Sequence, residues 1–367
     1  MRKLAHIEKI IDILPIAGAD RIELAKILGW QVIIKKEQFV VGDVVVYIEL
    51  DSVLPKNSEY EFLEKYKYRI KTQKLRNVLS QGLILPLPKD GRDFKYNIGD
   101  DVTELLGITQ YVSPSEREAM NNQTNKHHWT KKYLFTKWLW RYEWFRNFVA
   151  PIKDNSWPNW VSKTDEERIQ NIPDVLDAYK EFSCSITEKI DYQSVTFTSN
   201  IVPRYNNFLG KIFKKTKFIV CSRNLINSNK NSLYWRIAKK YKLDEITKKY
   251  PKIIIQGEQG DIGVQGNKYG ITEPTLWVFN VIKDGVFLNE TQMKIFCDEH
   301  NLQTVPYLGN VKLGDFKSVD DIIKFVEGKS KINSKIEREG IVFRYITNGK
   351  KQLSFKVINN KFLLKHE

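Results

Sequence analysis

The chain has 367 residues, of which 42% are hydrophobic and 28% charged, and its formal net charge is +15. These numbers describe a soluble globular protein long enough for two domains. The basic excess fits a polyanion partner, because basic clusters release counterions from nucleic acid, and it equally fits a lysine-rich proteome.

Three cysteines, Cys184, Cys221 and Cys297, are widely spaced, and five histidines show no metal-ligand spacing, so a zinc site has no support. A reducing, intracellular and cytoplasmic setting is expected. The N-terminus has no apolar leader and no run reaches membrane-spanning length, so no membrane partner is expected.

Residues 1–110 read as short strands separated by turn signals. Ile22–Leu28 leads through Gly29-Trp30 to a second strand at Gln31–Ile34. Gly42-Asp43 turns into the apolar strand Val44–Leu50, and Gln81–Pro88 closes a strand on proline. A small barrel of the OB type is the economical fold for this spacing. Arg69, Lys71, Lys74 and Arg76 precede the last strands, where they either track a phosphate backbone or form a solvated loop.

Residues 111–170 read as an aromatic-basic junction. A polar run, Asn121–Lys126, precedes Trp138, Trp140, Trp144 and Phe145 set among lysines and arginines. One reading is a helix packing its aromatic face onto a domain. The others are a base-stacking surface and a membrane-surface helix. Thr164 followed by Glu167 has capping-box spacing, which predicts a helix opening near Lys163.

From 171 to 367 the pattern is α+β. Ser183–Thr198 is strand-like, Phe218–Cys221 is a short strand, and residues 232–242 have the spacing of an amphipathic helix. Ile253–Glu258 and Leu276–Val281 read as apolar strands, and Val319–Val326 as a helix. Glu339–Arg344 and Leu353–Ile358 complete the strand set. Glycines at 257, 260, 263 and 266 fit a hairpin loop rather than a collagen repeat. No Walker-type phosphate loop is present and no dinucleotide-binding glycine motif follows a strand.

What remains is a set of charged residues at strand ends: Lys189, Asp191, Arg223, Glu258, Glu339 and Lys356. Strand alternation places Lys189 and Asp191 on one face with Ile190 in the core. A partly desolvated lysine beside a carboxylate is a candidate nucleophile, since its pKa moves readily with its surroundings.

In order, Thr187–Tyr192, Cys221–Asn224, Gln256–Glu258, Trp277–Val281, Arg338–Val342 and Ser354–Ile358 resemble motifs I, Ia, III, IIIa, IV and V of the covalent nucleotidyltransferases. That superfamily comprises ATP-dependent ligases and mRNA capping enzymes. Lys163–Arg168, Cys221-Ser222-Arg223-Asn224 and Phe355–Asn360 narrow the likeness to RNA ligases of the family-five type. There an OB domain precedes the catalytic domain, and Ala19–Glu23, Gly29-Trp30 and Asp51–Pro55 are similar to it.

The resemblance implies an N-terminal OB-type barrel followed by an ATP-grasp-like adenylyltransferase domain of antiparallel sheets and helices. It implies ATP and Mg²⁺ or Mn²⁺ as cofactors, and as partner an RNA nicked duplex, RNA/DNA hybrids included. Lys189 is the implied nucleophile and Lys356 the neutraliser of the α-phosphate. Asp191, Glu258 and Glu339 would hold a hydrated metal through its waters. Glu188, Arg223 and Phe279 are the other implied nucleotide contacts, Arg223 at ribose or phosphate and Phe279 stacked on adenine.

The chain departs from the family pattern in two places. Tyr192 stands where motif I usually has glycine, and Ile358 where motif V often has a second lysine. Two rival readings therefore stay open at this stage: a GTP-dependent capping-type guanylyltransferase, and a non-catalytic RNA-binding protein with a decayed ligase domain.

Overall fold

The computed structural model describes residues 3–88, 95–112, 139, 142, 157–203, 214–250 and 252–366. The aromatic-basic segment, Trp129–Phe148, lies almost wholly outside the described residues, and so does the polar run before it.

Strands β1 (Ala5–Pro15), β2 (Ile22–Ile27), β3 (Trp30–Lys35) and β4 (Val44–Ile48) are followed by β5 (Ser52–Val53), β6 (Gln73–Leu75), β7 (Val78–Ser80), β8 (Leu83–Leu85) and β9 (Thr109–Gln110). Five of them form one sheet in the order β3-β2-β1-β4-β8. The sheet curls until β3 meets β7: the Ile33 N–H donates to Ser80 Oγ at 2.9 Å, and the Gln81 N–H to the Gln31 carbonyl at 2.8 Å. Alternating apolar residues fill the nearly closed barrel, among them Ile7, Ile10, Trp30, Val32, Val46 and Ile48. This is the predicted N-terminal OB fold.

The second half is built from two mainly antiparallel sheets, each with one short parallel edge strand. After β10 (Glu167–Arg168) come β11 (Ser183–Lys189), β12 (Gln193–Pro203), β13 (Lys214–Cys221), β14 (Ile254–Gly260) and β15 (Thr275–Lys283). The set ends with β16 (Val286–Phe287), β17 (Gln303–Thr304), β18 (Tyr307–Lys312), β19 (Gly340–Thr347) and β20 (Lys350–Ile358). One sheet runs β10-β20-β19-β11-β18 and the other β13-β12-β14-β15-β16, with β17 beside β15. Helices Leu233–Lys240, Leu243–Lys249 and Glu290–Glu299 cover the second sheet, and Val319–Phe325 packs on the first. Between the sheets, Ile190, Tyr192, Tyr269, Trp277, Phe279 and Val305 form a separate apolar cluster. The α+β architecture matches the sequence expectation. No helix among the described residues is long and apolar enough to cross a membrane.

Three local expectations are corrected. The helix expected to open near Thr164 is absent. Glu167 and Arg168 instead pair in parallel with Phe355 and Lys356, and the Thr164 hydroxyl bonds the Ser194 hydroxyl at 2.8 Å. An open sheet edge outcompeted the local cap, because tertiary pairing satisfies more backbone groups than one short helical turn. The run Ser183–Thr198 is two strands, broken at Ile190–Tyr192. Finally, Gly257 and Gly260 lie inside β14 and leave only Gly263 and Gly266 to the following loop.

The barrel is docked on the two sheets of the second half by polar and apolar contacts. The Trp30 indole N–H donates to Asn171 Oδ1 at 2.6 Å, while Asn171 Nδ2 donates to Glu49 at 2.7 Å and to Glu167 at 3.0 Å. Leu79 of β7 packs against Ile358 and Leu363. Arg69, one of the expected phosphate-tracking cations, is engaged elsewhere: it bonds Asp51 and lies 3.6 Å over the Tyr111 ring.

Candidate active site

Strand register brings distant motifs to one place. In the β11–β19 ladder Lys189 pairs with Gly340, which sets Glu339 beside it. Gly340 is required there, since a Cβ would stand 2.2 Å from the Val357 carbonyl oxygen. Asn359 then pins the turn, its N–H donating to the Glu339 carbonyl at 2.8 Å and its Nδ2 to the Arg338 carbonyl at 3.0 Å. In the β12–β14 ladder Ser194 faces Glu258, and β10 holds Arg168 opposite Lys356.

These elements line a cleft that is open to solvent. Glu188, Lys189, Arg223, Glu258, Phe279 and Lys356 line it, together with Asp165, Tyr192, Val305 and Arg344. Of the nucleotide-site residues expected from sequence, only Asp191 and Glu339 stand outside this lining. Glu339 is nonetheless in the site, bonding Lys189 Nζ through both carboxylate oxygens at 2.6 and 2.7 Å.

The lysine–aspartate partnership expected within motif I is not formed. Lys189 pairs with Glu339, and Asp191 forms its ion pair with Lys268. The chain leaves the strand after Lys189, so the period-two geometry that would align the two side chains ends there. The Asp191 N–H donates to the Tyr269 hydroxyl at 2.8 Å, which fixes the turn.

Tyr192 causes no backbone strain. It lies outside the left-handed residues, and its ring stacks on Trp277 with centroids 5.6 Å apart and planes 12° apart. The space for that ring comes from Gly260, where a Cβ would meet it at 2.5 Å. Ile358 is buried under Leu79 and Leu363, so no second motif V lysine reaches the cleft from this position.

Charge is concentrated in the cleft floor. Burial alone would lower the Lys189 pKa, but Glu339, Glu258 and Asp191 outweigh it and hold the ammonium form. Burial pushes the Glu258 carboxyl up to about 8, against the pull of Lys189. Lys356 is lowered to about 8, mainly by burial and partly by Arg168, Lys189 and Arg223, with Asp165 opposing. Glu258 Oε2 is buried without a hydrogen-bond partner. On Glu188 the Lys331 N–H occupies Oε2 at 2.7 Å, and Oε1 has no partner.

Asp165, Lys268 and Arg344 were missed as site residues. Arg344 is buried, donates to the Thr187 hydroxyl at 3.0 Å and lies 5.6 Å over the Phe279 ring. Its position in β19, two residues past Val342, carries no local signal; only the β11–β19 pairing exposes it.

Residues 183–358 match the family model for RNA ligase, and residues 4–87 match a model for an OB-fold domain. The chain thus pairs an OB-fold domain with a domain of the RNA ligase family. The Naegleria gruberi RNA ligase solved with pyrophosphate is 28% identical, with 100% of this chain and 99% of that chain covered and a TM-score of 0.72. A mutant of that ligase with ATP and Mn is 27% identical over 99% of each chain, with a TM-score of 0.74. Another, with AMP and Mn, is 28% identical over 100% and 99%, with a TM-score of 0.73. No curated protein matches the chain. In this fold the cleft lies between the two sheets, and Lys189 is among the residues that line it.

Proposed function

We propose that the protein is an ATP-dependent RNA ligase that seals 3′-hydroxyl/5′-phosphate nicks through a covalent Lys189–AMP intermediate. The observation that carries this is Lys189 itself, held by Glu339 on the floor of a cleft lined by Phe279, Arg223 and Lys356. The division into an OB domain at 1–110, a junction at 111–170 and a catalytic domain at 171–367 is part of the same proposal.

Neutral Lys189 attacks the α-phosphorus of ATP and pyrophosphate leaves, giving a lysine–AMP phosphoramidate. The RNA 5′-phosphate oxygen then attacks that phosphorus and frees the lysine. Finally the 3′-hydroxyl attacks the activated 5′-phosphate, forming the phosphodiester and releasing AMP. These steps depend on alignment and charge neutralisation more than on a strong general base.

Lys356 neutralises the α-phosphate and Arg223 holds ribose or phosphate. Phe279 stacks the base from the ring face that Arg344 leaves open. The unpartnered oxygen of Glu188 can accept from the exocyclic amine of adenine.

The donor set also fits a divalent cation. Glu339 bonds Lys189, Glu258 and Asp191 act on the same ammonium through their charge, and a buried Glu258 oxygen lacks a partner. Among the described residues no three acids are placed to ligate one ion directly, which suits an ion holding its own waters. Mg²⁺ or Mn²⁺ there would draw the carboxylates away from the ammonium and so favour neutral Lys189. RNA is the partner, at a nicked duplex with RNA/DNA hybrids included, and the expected setting is cytoplasmic.

The test is incubation of the protein and of its Lys189→Ala variant with α-labelled ATP or GTP and either metal. Label from ATP that disappears in the variant is the expected result. Label from GTP alone moves the assignment to a capping-type reaction. No label from either, with protein shown free of bound AMP, removes the ligase reading and favours the RNA-binding alternative.

A further inference from the structure

The segment between the barrel and β11 does more than connect them. Thr164 is tied to Ser194, and Glu166 lies 3.5 Å from Lys351 and 3.9 Å from Arg344. Glu167 and Arg168 are fixed on the edge of β20. Asp165 lies between these anchors and turns into the cleft. Its two carboxylate oxygens each accept from Arg223 Nη2 at 2.7 Å, and Oδ1 lies 3.7 Å from Lys356 Nζ.

Arg223 and Lys356 are the cations assigned above to the nucleotide's ribose and phosphates. With Arg168 opposite Lys356, they place several positive groups in a small volume. A carboxylate bridging such a set carries the same charge sign, and the same acceptor geometry, as a phosphate oxygen pair. The Asp165 side chain is half exposed at 49% and so lies within reach of a ligand entering the cleft.

We propose that Asp165 is a built-in anion of the phosphate cradle, which holds Arg223 and Lys356 until a nucleotide phosphate displaces it and thereby sets how tightly ATP and pyrophosphate bind. This rests on the ligase reading given above. Before ATP arrives, Asp165 keeps the cations oriented and screened from one another.

The test compares Asp165→Asn and Asp165→Glu with the parent. Binding of ATP and of inorganic pyrophosphate, each with Mg²⁺, is titrated by calorimetry in the unreactive Lys189→Ala background at pH 7, and covalent labelling is measured with Lys189 intact. Asp165→Asn is expected to bind both ligands about three- to tenfold more tightly, the scale of one charge-assisted pair at a half-exposed position. The KM for ATP should fall by the same factor with kcat little changed, and Asp165→Glu should restore the weaker binding. Unchanged or weaker binding by Asp165→Asn overturns the proposal, because a residue that only props Arg223 in place loses affinity when removed. Absence of label in the parent chain defeats the ligase reading instead, so the two failures are distinguishable.

Discussion

At the scale of single residues, the chemistry turns on groups whose ordinary pKa values are displaced by burial. Glu258 is raised to about 8 and Lys356 lowered to about 8. In the roles proposed for them, Glu258 acts ionised and Lys356 acts protonated. Activity therefore rises as pH passes upward through 8 on the Glu258 limb, and falls above 8 as Lys356 loses its proton. With Mg²⁺ present to favour neutral Lys189, the alkaline limb of kcat/KM for adenylylation should fall near pH 8, read from labelling rates between pH 6 and 10. Lys356→Arg keeps its charge throughout that range, so it should remove the alkaline limb; a limb left in place would assign it to another group. Tyr192 belongs to the same scale. Its ring fills the space that Gly260 leaves by having no Cβ, so the departure from the usual motif I glycine is absorbed by a neighbour instead of by the backbone.

At the scale of elements, β20 is the strand on which the two halves of the molecule meet. Its Leu353, Phe355 and Val357 point into the core, Lys356 faces the cleft, and Ile358 is capped by Leu79 of the barrel. A lysine at 358 would put an ammonium among Leu79, Leu363 and Leu364. Ile358→Lys should therefore cost about 3 kcal/mol in denaturant unfolding, with no gain in adenylylation. Full stability together with faster labelling would show that a second motif V lysine acts from this strand after all. The expected helix at 164 failed at this scale as well. Its capping-box spacing is real, but the edge of β20 offered a competing partner that no local pattern reports.

At the scale of the whole molecule, the barrel and the catalytic sheets are joined through a buried polar group. His6 Nδ1 lies 2.7 Å from Glu8 and its Nε2 3.5 Å from Glu49, which in turn accepts from Asn171. Burial opposes the imidazolium, but hydrogen bonds to Glu49 and Glu8 win and raise His6 to about 9 from 6.5. Because the folded-state value is the higher one, the stabilisation is complete below pH 6.5 and is lost as pH rises through 9. Its full size is about 3 kcal/mol. Unfolding free energies of the protein and of His6→Gln, measured from pH 6 to 10, should converge toward the alkaline end; a gap independent of pH would mean that His6 acts by packing alone.

The sequence by itself determined the order of the six motifs, the α+β class and most strands, because burial on one face leaves a period-two or helical signature in the chain. It also exposed the acids and bases of the cleft, since they interrupt apolar strands at their ends. Only the tertiary structure decided who pairs with whom. Lys189 pairs with Glu339 and not with Asp191, Asp165 faces Arg223, and Arg344 lies over Phe279, each across more than 50 residues of chain or between different strands. Such partnerships depend on sheet register and on the space left by neighbours such as Gly260 and Gly340. Those are properties of the packed fold, with no trace in local spacing.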